Sequence, residues 1–177
     1  MSQFVQEQLC PICNDTSAKS IQASIDNRWV IGFECERCGK YNIGLRALSA
    51  QPWRDVRHLV SAWIRRENLS NNIPTITHSL DTEENYIYQP EWWSNRFGSM
   101  GFPSTVIEKI NALLLSYAKS IDNNYGRQFS FGQRHVIADI AAKNQEEVNG
   151  LNDLLDELGF INKNTPKITA KGWLHID

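Results

Sequence analysis

Residues 34–44 read ECERCGKYNIG, and the two cysteines in this stretch decide how the first part of the chain folds. Cys35 and Cys38 are separated by two residues, and the same spacing occurs upstream in CPIC, between Cys10 and Cys13. Twenty-one residues separate the two pairs, and this C-x2-C…C-x2-C arrangement is typical of a four-thiolate zinc site. We therefore expect both pairs to converge on one structural Zn²⁺, each through a tight turn.

Paired cysteines have two other uses that the sequence leaves open. A lone CPIC is also the pattern of a redox dithiol, although a second matched pair disfavours it. Disulfides form in exported proteins, whereas MSQFVQEQLC at the start lacks the apolar core of a signal peptide, which predicts a cytoplasmic location. Four thiolates leave no open coordination position, so we expect the metal to support folding rather than catalysis.

Size and composition are those of an ordinary globular protein: 177 residues, 41% hydrophobic and 21% charged, with a net charge of −2. No apolar run approaches the roughly 20 residues of a membrane helix, so we expect no membrane partner. The slight negative charge gives no support to a duplex-DNA binder, which is usually basic. The chain carries no phosphate-binding loop, dinucleotide fingerprint, hydrolase elbow or zinc-protease motif, so we expect no enzyme.

The pattern along the chain predicts an α+β protein in three segments. Residues 1–50 are expected to form a zinc ribbon, in which alternating Ile21–Ile25, a turn at Asp26–Asn27 and the runs RWVIGFE and KYNIGL give a small antiparallel sheet. Residues 51–102 are expected to form a connector with a helix over QPWRDVRHLVSAWIRRENLS and a short helix at 91–96. Its first helix has apolar residues at helical spacing: Val56, Leu59, Val60, Trp63 and Ile64.

Residues 103–177 are expected to form a winged-helix domain. Three amphipathic helices are predicted, with Ser104 or Thr105 capping the first and Asn144, followed by Glu147, capping the third. Gly159 stands where the third helix should end. The sequence FINKNTPKITAKGWLHI then predicts a strand, a polar turn over residues 162–166, and a second strand.

The winged-helix segment is poorly suited to duplex DNA. Its predicted third helix, the one that would enter the major groove, has five acidic residues and no Lys or Arg. Such a helix opposes the phosphate charge of DNA, so contact with a protein is favoured and DNA binding remains the alternative. Trp92, Trp93, Tyr86 and Tyr88 can stack on bases, but burial is the favoured role.

Basic residues concentrate instead around the predicted first helix. Arg54, His58, Ser61 and Arg65 are expected to share one helix face, with Arg37 nearby on the cysteine loop. This stretch is either a solvated helix face or the candidate contact for nucleic acid or another anionic partner. The candidate residues, including two from the wing, are Lys40, Arg46, Arg54, Arg57, Arg65, Arg66, Lys163 and Lys167.

The stretches CPIC…CERCGKYNI, LVSAWIRREN and LLDELGFI…ITAKGWLHID together resemble the N-terminal region of a group of bacterial effector proteins. In that group a zinc ribbon and a winged-helix-like region precede a nucleoside deoxyribosyltransferase-like or TIR-like domain, and the resemblance implies a defence or stress system. Only the four cysteines carry over, as zinc ligands, because the chain ends where the catalytic domain would begin. We expect a fragment of an effector or a separate regulatory subunit, acting as a sensor or adaptor on a partner protein, with a homo-oligomer left open.

Overall fold

The computed structural model describes residues 6–14, 17–25, 28–76, 97 and 100–176, and this part of the chain is α+β. The fold divides into two compact units, Met1–Gly101 and Phe102–Asp177. Several predicted features lie outside the described residues: the turn at Asp26–Asn27, the short helix at 91–96, and the aromatic residues Tyr86, Tyr88, Trp92 and Trp93.

Among its described residues, the first unit contains a five-stranded sheet with the strand order β1–β2–β3–β4–β5. The strands are β1 (Gln6–Leu9), β2 (Ser17–Ile25), β3 (Arg28–Cys35), β4 (Gly39–Gly44) and β5 (Thr75–Ile76). The first four pair in antiparallel fashion, whereas β5 runs parallel to β4 and places Ile76 opposite Ile43. The predicted strands β2, β3 and β4 are confirmed. Strands β1 and β5 were not predicted, because β1 is exposed throughout and β5 is too short to show a period.

The helices of the first unit follow β4 directly. Helix α1 (Leu45–Ala50) begins where the sequence predicted the end of a strand, and a 3₁₀ turn (Arg54–Val56) precedes α2 (Arg57–Leu69). The predicted helix therefore starts later than its first-turn proline at position 52. Val60 and Ile64 are fully buried, which confirms the apolar face of α2, and this helix packs against β4. The packing brings α2 beside the second cysteine pair.

The second unit is built from helices around one apolar core. Its elements are α3 (Val106–Ser120), α4 (His135–Asp139), α5 (Gln145–Glu157), β6 (Ile161–Asn162), β7 (Lys167–Ile168) and α6 (Ala170–Ile176). The core includes Leu113, Leu114, Ile137, Leu155 and Ile168. Of the predicted apolar positions, Val106, Ile107 and Leu158 are exposed, because they lie at helix ends that the core does not cover.

Helix caps in the second unit agree with the predictions. The Thr105 hydroxyl accepts the Glu108 N–H while the Glu108 carboxylate accepts the Thr105 N–H, which forms a capping box. The Asn144 side chain accepts the Glu147 N–H, but the Glu147 carboxylate returns to the N–H of Lys143. Gly159 has a φ of 72°, the left-handed conformation expected after a helix.

The last predicted strand is wrong beyond Ile168, because residues 170–176 form helix α6. The Thr169 hydroxyl accepts the N–H of Gly172, as an N-cap side chain does, and this bond favours a helix over a longer strand. Within the described residues, helices fall short of the length and apolar content that a membrane span requires.

Candidate metal centre

The four cysteines of the first unit meet at one point. Cys10 and Cys13 lie on the first cysteine loop (residues 10–14), between β1 and β2. Cys35 and Cys38 lie on the second cysteine loop (residues 35–39), which runs from the last residue of β3 to the first residue of β4. All four sulfurs lie within 4.8 Å of one another. Antiparallel pairing of β2 with β3 explains the convergence, because Ala18, close after the first loop, pairs with Cys35.

The sulfur spacing fits a tetrahedral ion and excludes disulfides. The Sγ atoms of Cys10 and Cys38 are 3.7 Å apart, and those of Cys13 and Cys35 are 3.8 Å apart. Zn–S bonds of about 2.3 Å give a tetrahedral S–S edge of about 3.8 Å, whereas a disulfide bond is about 2.05 Å long. The four cysteines can therefore hold a metal ion such as Zn²⁺ as a closed set of sulfur ligands.

Each cysteine loop is shaped by a left-handed residue directly after its second cysteine. Asn14 has a φ of 54° and Gly39 a φ of 90°. Asparagine and glycine are the residues that adopt this conformation at least cost. A Cβ atom on Gly39 would also lie 2.2 Å from Oδ1 of Asn68, so this position requires glycine for space as well as for conformation.

Burial shields most of the cluster. Cys10 and Cys38 are fully buried and Cys35 is 3% exposed, while Cys13 is only partly buried. The indole N–H of the buried Trp53 donates to the carbonyl of Pro11 at 3.1 Å, which holds the first cysteine loop in place. A buried, rigid sulfur cluster is typical of a structural site rather than of a catalytic one, which needs access for a substrate.

The thiol pKa values reflect this crowding. A hydrogen bond with Cys13 raises the pKa of Cys10 well above its ordinary value, and burial does the same for the pKa of Cys38. A hydrogen bond with Cys10 lowers the pKa of Cys35 to about 7. Cys35 can thus ionise readily, whereas the surroundings of Cys10 and Cys38 oppose their ionisation, and a bound dication would favour the thiolate form of both.

Two hydroxyl groups contact the sulfurs and were not identified from the sequence as site residues. The Tyr41 Oη lies 2.9 Å from Sγ of Cys10, and the Ser61 Oγ lies 3.1 Å from Sγ of Cys38. The prediction for Ser61 was wrong: it is fully buried against the cysteine cluster rather than exposed beside the arginines. A small polar residue directly after Val60 was the available signal, because polar residues inside an apolar helix face usually have a buried partner.

The candidate residues for an anionic partner are dispersed. Arg46 and Arg54 are exposed, while Arg57 donates to Oε1 of Gln51 at 3.2 Å and Arg66 donates to the carbonyl of Met100 at 2.6 Å. Arg37 is 2% exposed, so the expectation that it joins an anion-binding surface is wrong. In the second unit, Lys163 is ion-paired with Asp153 and Lys167 is half-buried at the start of β7.

The structure brings two of these candidates, Lys40 and Arg65, to a single cavity. This cavity has a volume of about 470 Å³ and lies beside the second cysteine loop. Glu34 and Glu36 also line it, and Lys40 is 3.6 Å from the Glu34 carboxylate. Its charge is therefore mixed, which weakens the case for a purely anionic ligand.

Comparisons of the chain with protein-family models, with curated protein sequences and with solved structures each gave no match. Functional conclusions therefore rest on the geometry of the described residues, above all on the four-sulfur cluster.

Proposed function

We propose that this chain is a non-catalytic zinc-binding module that acts as a regulatory sensor or adaptor through protein contacts. The observation that carries the proposal is the cluster of Cys10, Cys13, Cys35 and Cys38, whose sulfurs lie within 4.8 Å of one another. Zn²⁺ would form a zinc ribbon from the sheet and the two cysteine loops. With four thiolates the coordination is complete, so the metal would stabilise the fold and not bind a substrate.

The acidic surface of the second unit supports protein contacts over DNA contacts. If the unit acts as a winged helix, α5 is the helix that would face a groove, and its exposed residues include Glu146, Asp153, Asp156 and Glu157. The ammonium of Lys163 on the wing is engaged by Asp153 and so offers little charge to a phosphate. By its resemblance, the chain would belong to a cytoplasmic bacterial defence or stress system and would control an attached or partner effector.

Metal analysis of the purified chain tests the zinc part of this proposal. We expect one zinc per chain by elemental mass spectrometry, and loss of zinc in a variant that carries Cys10→Ser and Cys38→Ser. Substitution of two exposed serines, Ser49→Ala and Ser130→Ala, is the matched control and should leave the zinc content at one. A wild-type chain that is folded but free of metal would refute the proposal.

The adaptor part needs a separate measurement, made with the effector domain whose presence the resemblance implies. We expect the activity of a joined or co-expressed effector to change when exposed acidic residues of α5 are replaced, as in Asp156→Asn with Glu157→Gln. Glu7→Gln with Glu36→Gln, at two exposed carboxylates of the first unit, provides a charge-matched control. Equal effector activity in all three proteins would argue against control through α5.

Nucleic-acid binding is the second candidate function, and it is supported by the positions of Lys40 and Arg65 at one cavity, although Glu34 and Glu36 line the same cavity. Fluorescence anisotropy with labelled single- and double-stranded oligonucleotides over a salt series tests it. Binding should weaken steeply with salt, and Lys40→Ala with Arg65→Ala should reduce the slope of log K against log salt by about two. Lys119→Ala, an exposed lysine of the second unit, is the control. No binding at low salt eliminates this candidate.

A further inference from the structure

The hydroxyls of Tyr41 and Ser61 reach the metal centre from two different elements of the first unit. Tyr41 lies on β4, three residues after Cys38, and Ser61 lies in the middle of α2. Both side chains are buried, with relative exposures of 1% and 0%. Their oxygens contact the sulfurs of Cys10 and Cys38, respectively, at 2.9 and 3.1 Å. Neither distance is longer than an ordinary hydrogen bond to sulfur, so both contacts are hydrogen bonds.

The direction of these hydrogen bonds follows from the chemistry of a metal site. A cysteine binds zinc as a thiolate, which has no hydrogen to donate, so the hydroxyls must donate to Cys10 and Cys38. The third buried sulfur, that of Cys35, accepts the backbone N–H of Cys38 at 3.5 Å. Cys13 is the most exposed of the four cysteines. Each buried sulfur thus has a donor provided by the protein.

Charge explains why such donors matter. Four thiolates around one Zn²⁺ carry a net charge of −2, and burial of an uncompensated charge is costly. Hydrogen bonds to a charged acceptor are about twice as strong as neutral ones and lower this cost directly at the sulfur. Removal of a donor should therefore weaken the thiolate form and, with it, the bound metal.

We propose that Tyr41 and Ser61 are positioning residues of the metal centre, whose hydroxyls stabilise the Cys10 and Cys38 thiolates and so increase zinc affinity. This inference rests on the proposed zinc-binding function. Because Ser61 belongs to α2, its bond also connects metal binding to the placement of that helix on the sheet. Partners of this kind typically contribute a factor of about 10 to 100 in metal affinity.

Competition between the full-length chain and a chromophoric chelator for Zn²⁺ tests the proposal in Tyr41→Phe, Ser61→Ala and the double variant. We expect about a tenfold loss of affinity in each single variant and a larger loss in the double variant. Tyr117→Phe and Ser49→Ala are matched controls. The Tyr117 hydroxyl donates to Asn152 in the second unit, and the exposed Ser49 hydroxyl donates to the Leu45 carbonyl. Both controls should keep wild-type affinity.

A spectroscopic measurement separates a hydrogen bond to sulfur from a merely structural effect. In the Co²⁺-substituted chain, loss of a donor raises the energy of the sulfur electrons, so the sulfur-to-cobalt charge-transfer band should move to longer wavelength. A packing defect alone would leave the band in place. Tyr41→Phe retains the ring, which stacks on Phe33 at 5.4 Å, so it decides the question even if Ser61→Ala does not fold.

The outcomes distinguish the two levels of the proposal. Wild-type affinity together with an unshifted cobalt band in Tyr41→Phe would overturn the role of the hydroxyls while leaving the zinc site intact. Failure of the wild-type chain to bind either Zn²⁺ or Co²⁺ would instead refute the proposed function on which this inference depends.

Discussion

The Asn68 side chain pairs with both backbone polar groups of Lys40. Its Oδ1 accepts the Lys40 N–H at 2.5 Å, and its Nδ2 donates to the Lys40 carbonyl at 2.8 Å. The same Nδ2 donates to the carbonyl of Asn72 at 3.0 Å. The Asn68 amide, at the end of α2, thus bonds to the backbone of β4 as a neighbouring strand would. The residue that it contacts, Lys40, lies two residues after Cys38. The contact joins the helix, the second cysteine loop and the segment that leads to β5.

Asn68→Ala should therefore destabilise the first unit by about 1–3 kcal/mol, because backbone groups of Lys40 and Asn72 lose their partner. Peptide-resolved hydrogen exchange of the zinc-loaded chain should show faster exchange in β4 and β5. Leu69→Ala, at an adjacent side chain that is 73% exposed, serves as control and should have little effect. Unchanged exchange in β4 after loss of Asn68 would contradict this account.

Zinc removal should affect the two units differently. With a strong chelator present, the first unit should lose its slowly exchanging amides, because a bound metal would tie together loops that lie 21 residues apart in sequence. The second unit contains no cysteine and has its own apolar core, so its amides should remain protected. Hydrogen exchange followed by mass spectrometry measures both units in one sample. Equal loss of protection in both units would be inconsistent with this independence.

Two glycines of the second unit should respond oppositely to alanine. A Cβ on Gly172 would lie 2.2 Å from the carbonyl oxygen of Phe160 and 2.8 Å from Cγ2 of Ile168, so Gly172→Ala should cost about 2–3 kcal/mol. Gly150 lies on the exposed side of α5 with open space around it, so Gly150→Ala should stabilise the unit by about 0.5–1 kcal/mol. Calorimetry of the two variants measures both effects, and a stable Gly172→Ala protein would disprove the predicted clash.

The ion pair between Lys109 and Glu147 predicts a pH dependence for the second unit. Partial burial by itself would raise the pKa of Glu147, but the Lys109 ammonium at 2.5 Å and the Lys143 N–H outweigh it and lower this pKa. A carboxylate with a lowered pKa stabilises the fold above its unfolded pKa of about 4.5, and this stability is lost as the pH falls through the folded pKa.

Glu147→Gln should accordingly destabilise the second unit at pH 7, and the difference from the wild type should shrink as the pH falls below about 4.5. Urea unfolding at several pH values measures this difference. Glu157→Gln, at an exposed position on the same helix, should show a small effect that hardly depends on pH. A constant difference between Glu147→Gln and the wild type down to pH 3 would be incompatible with the predicted role of the ion pair.

Local signals in the sequence were sufficient for several features. Two matched C-x2-C pairs predicted which side chains would meet, and the structure places their sulfurs together. Thr105 and Asn144 marked helix starts, because a short polar side chain before an apolar periodic run can satisfy free backbone N–H groups. Gly159 marked a helix end in the same local way.

Features that depend on distant partners were missed. Strand β5 has two residues and forms only because α2 returns the chain to the edge of β4. Arg37 and Ser61 were assigned to the predicted basic surface, but both are buried, Ser61 within α2 against Cys38 and Arg37 in the second cysteine loop. Helix α6 was missed for a different reason: it was predicted as a strand, although Thr169, whose hydroxyl accepts the Gly172 N–H, was a local signal for a helix.

The sequence by itself determined the four candidate metal ligands, the main strands between them and the capped helices, because each depends on spacings of a few residues. The tertiary structure decided what surrounds those ligands: the hydroxyls of Tyr41 and Ser61, the indole of Trp53 and the amide of Asn68. These groups come from β4, α2 and the turn before it, and their contacts with the cysteine loops span up to 42 residues. Such contacts form when packing of apolar faces fixes the elements relative to one another, and no local pattern encodes that geometry.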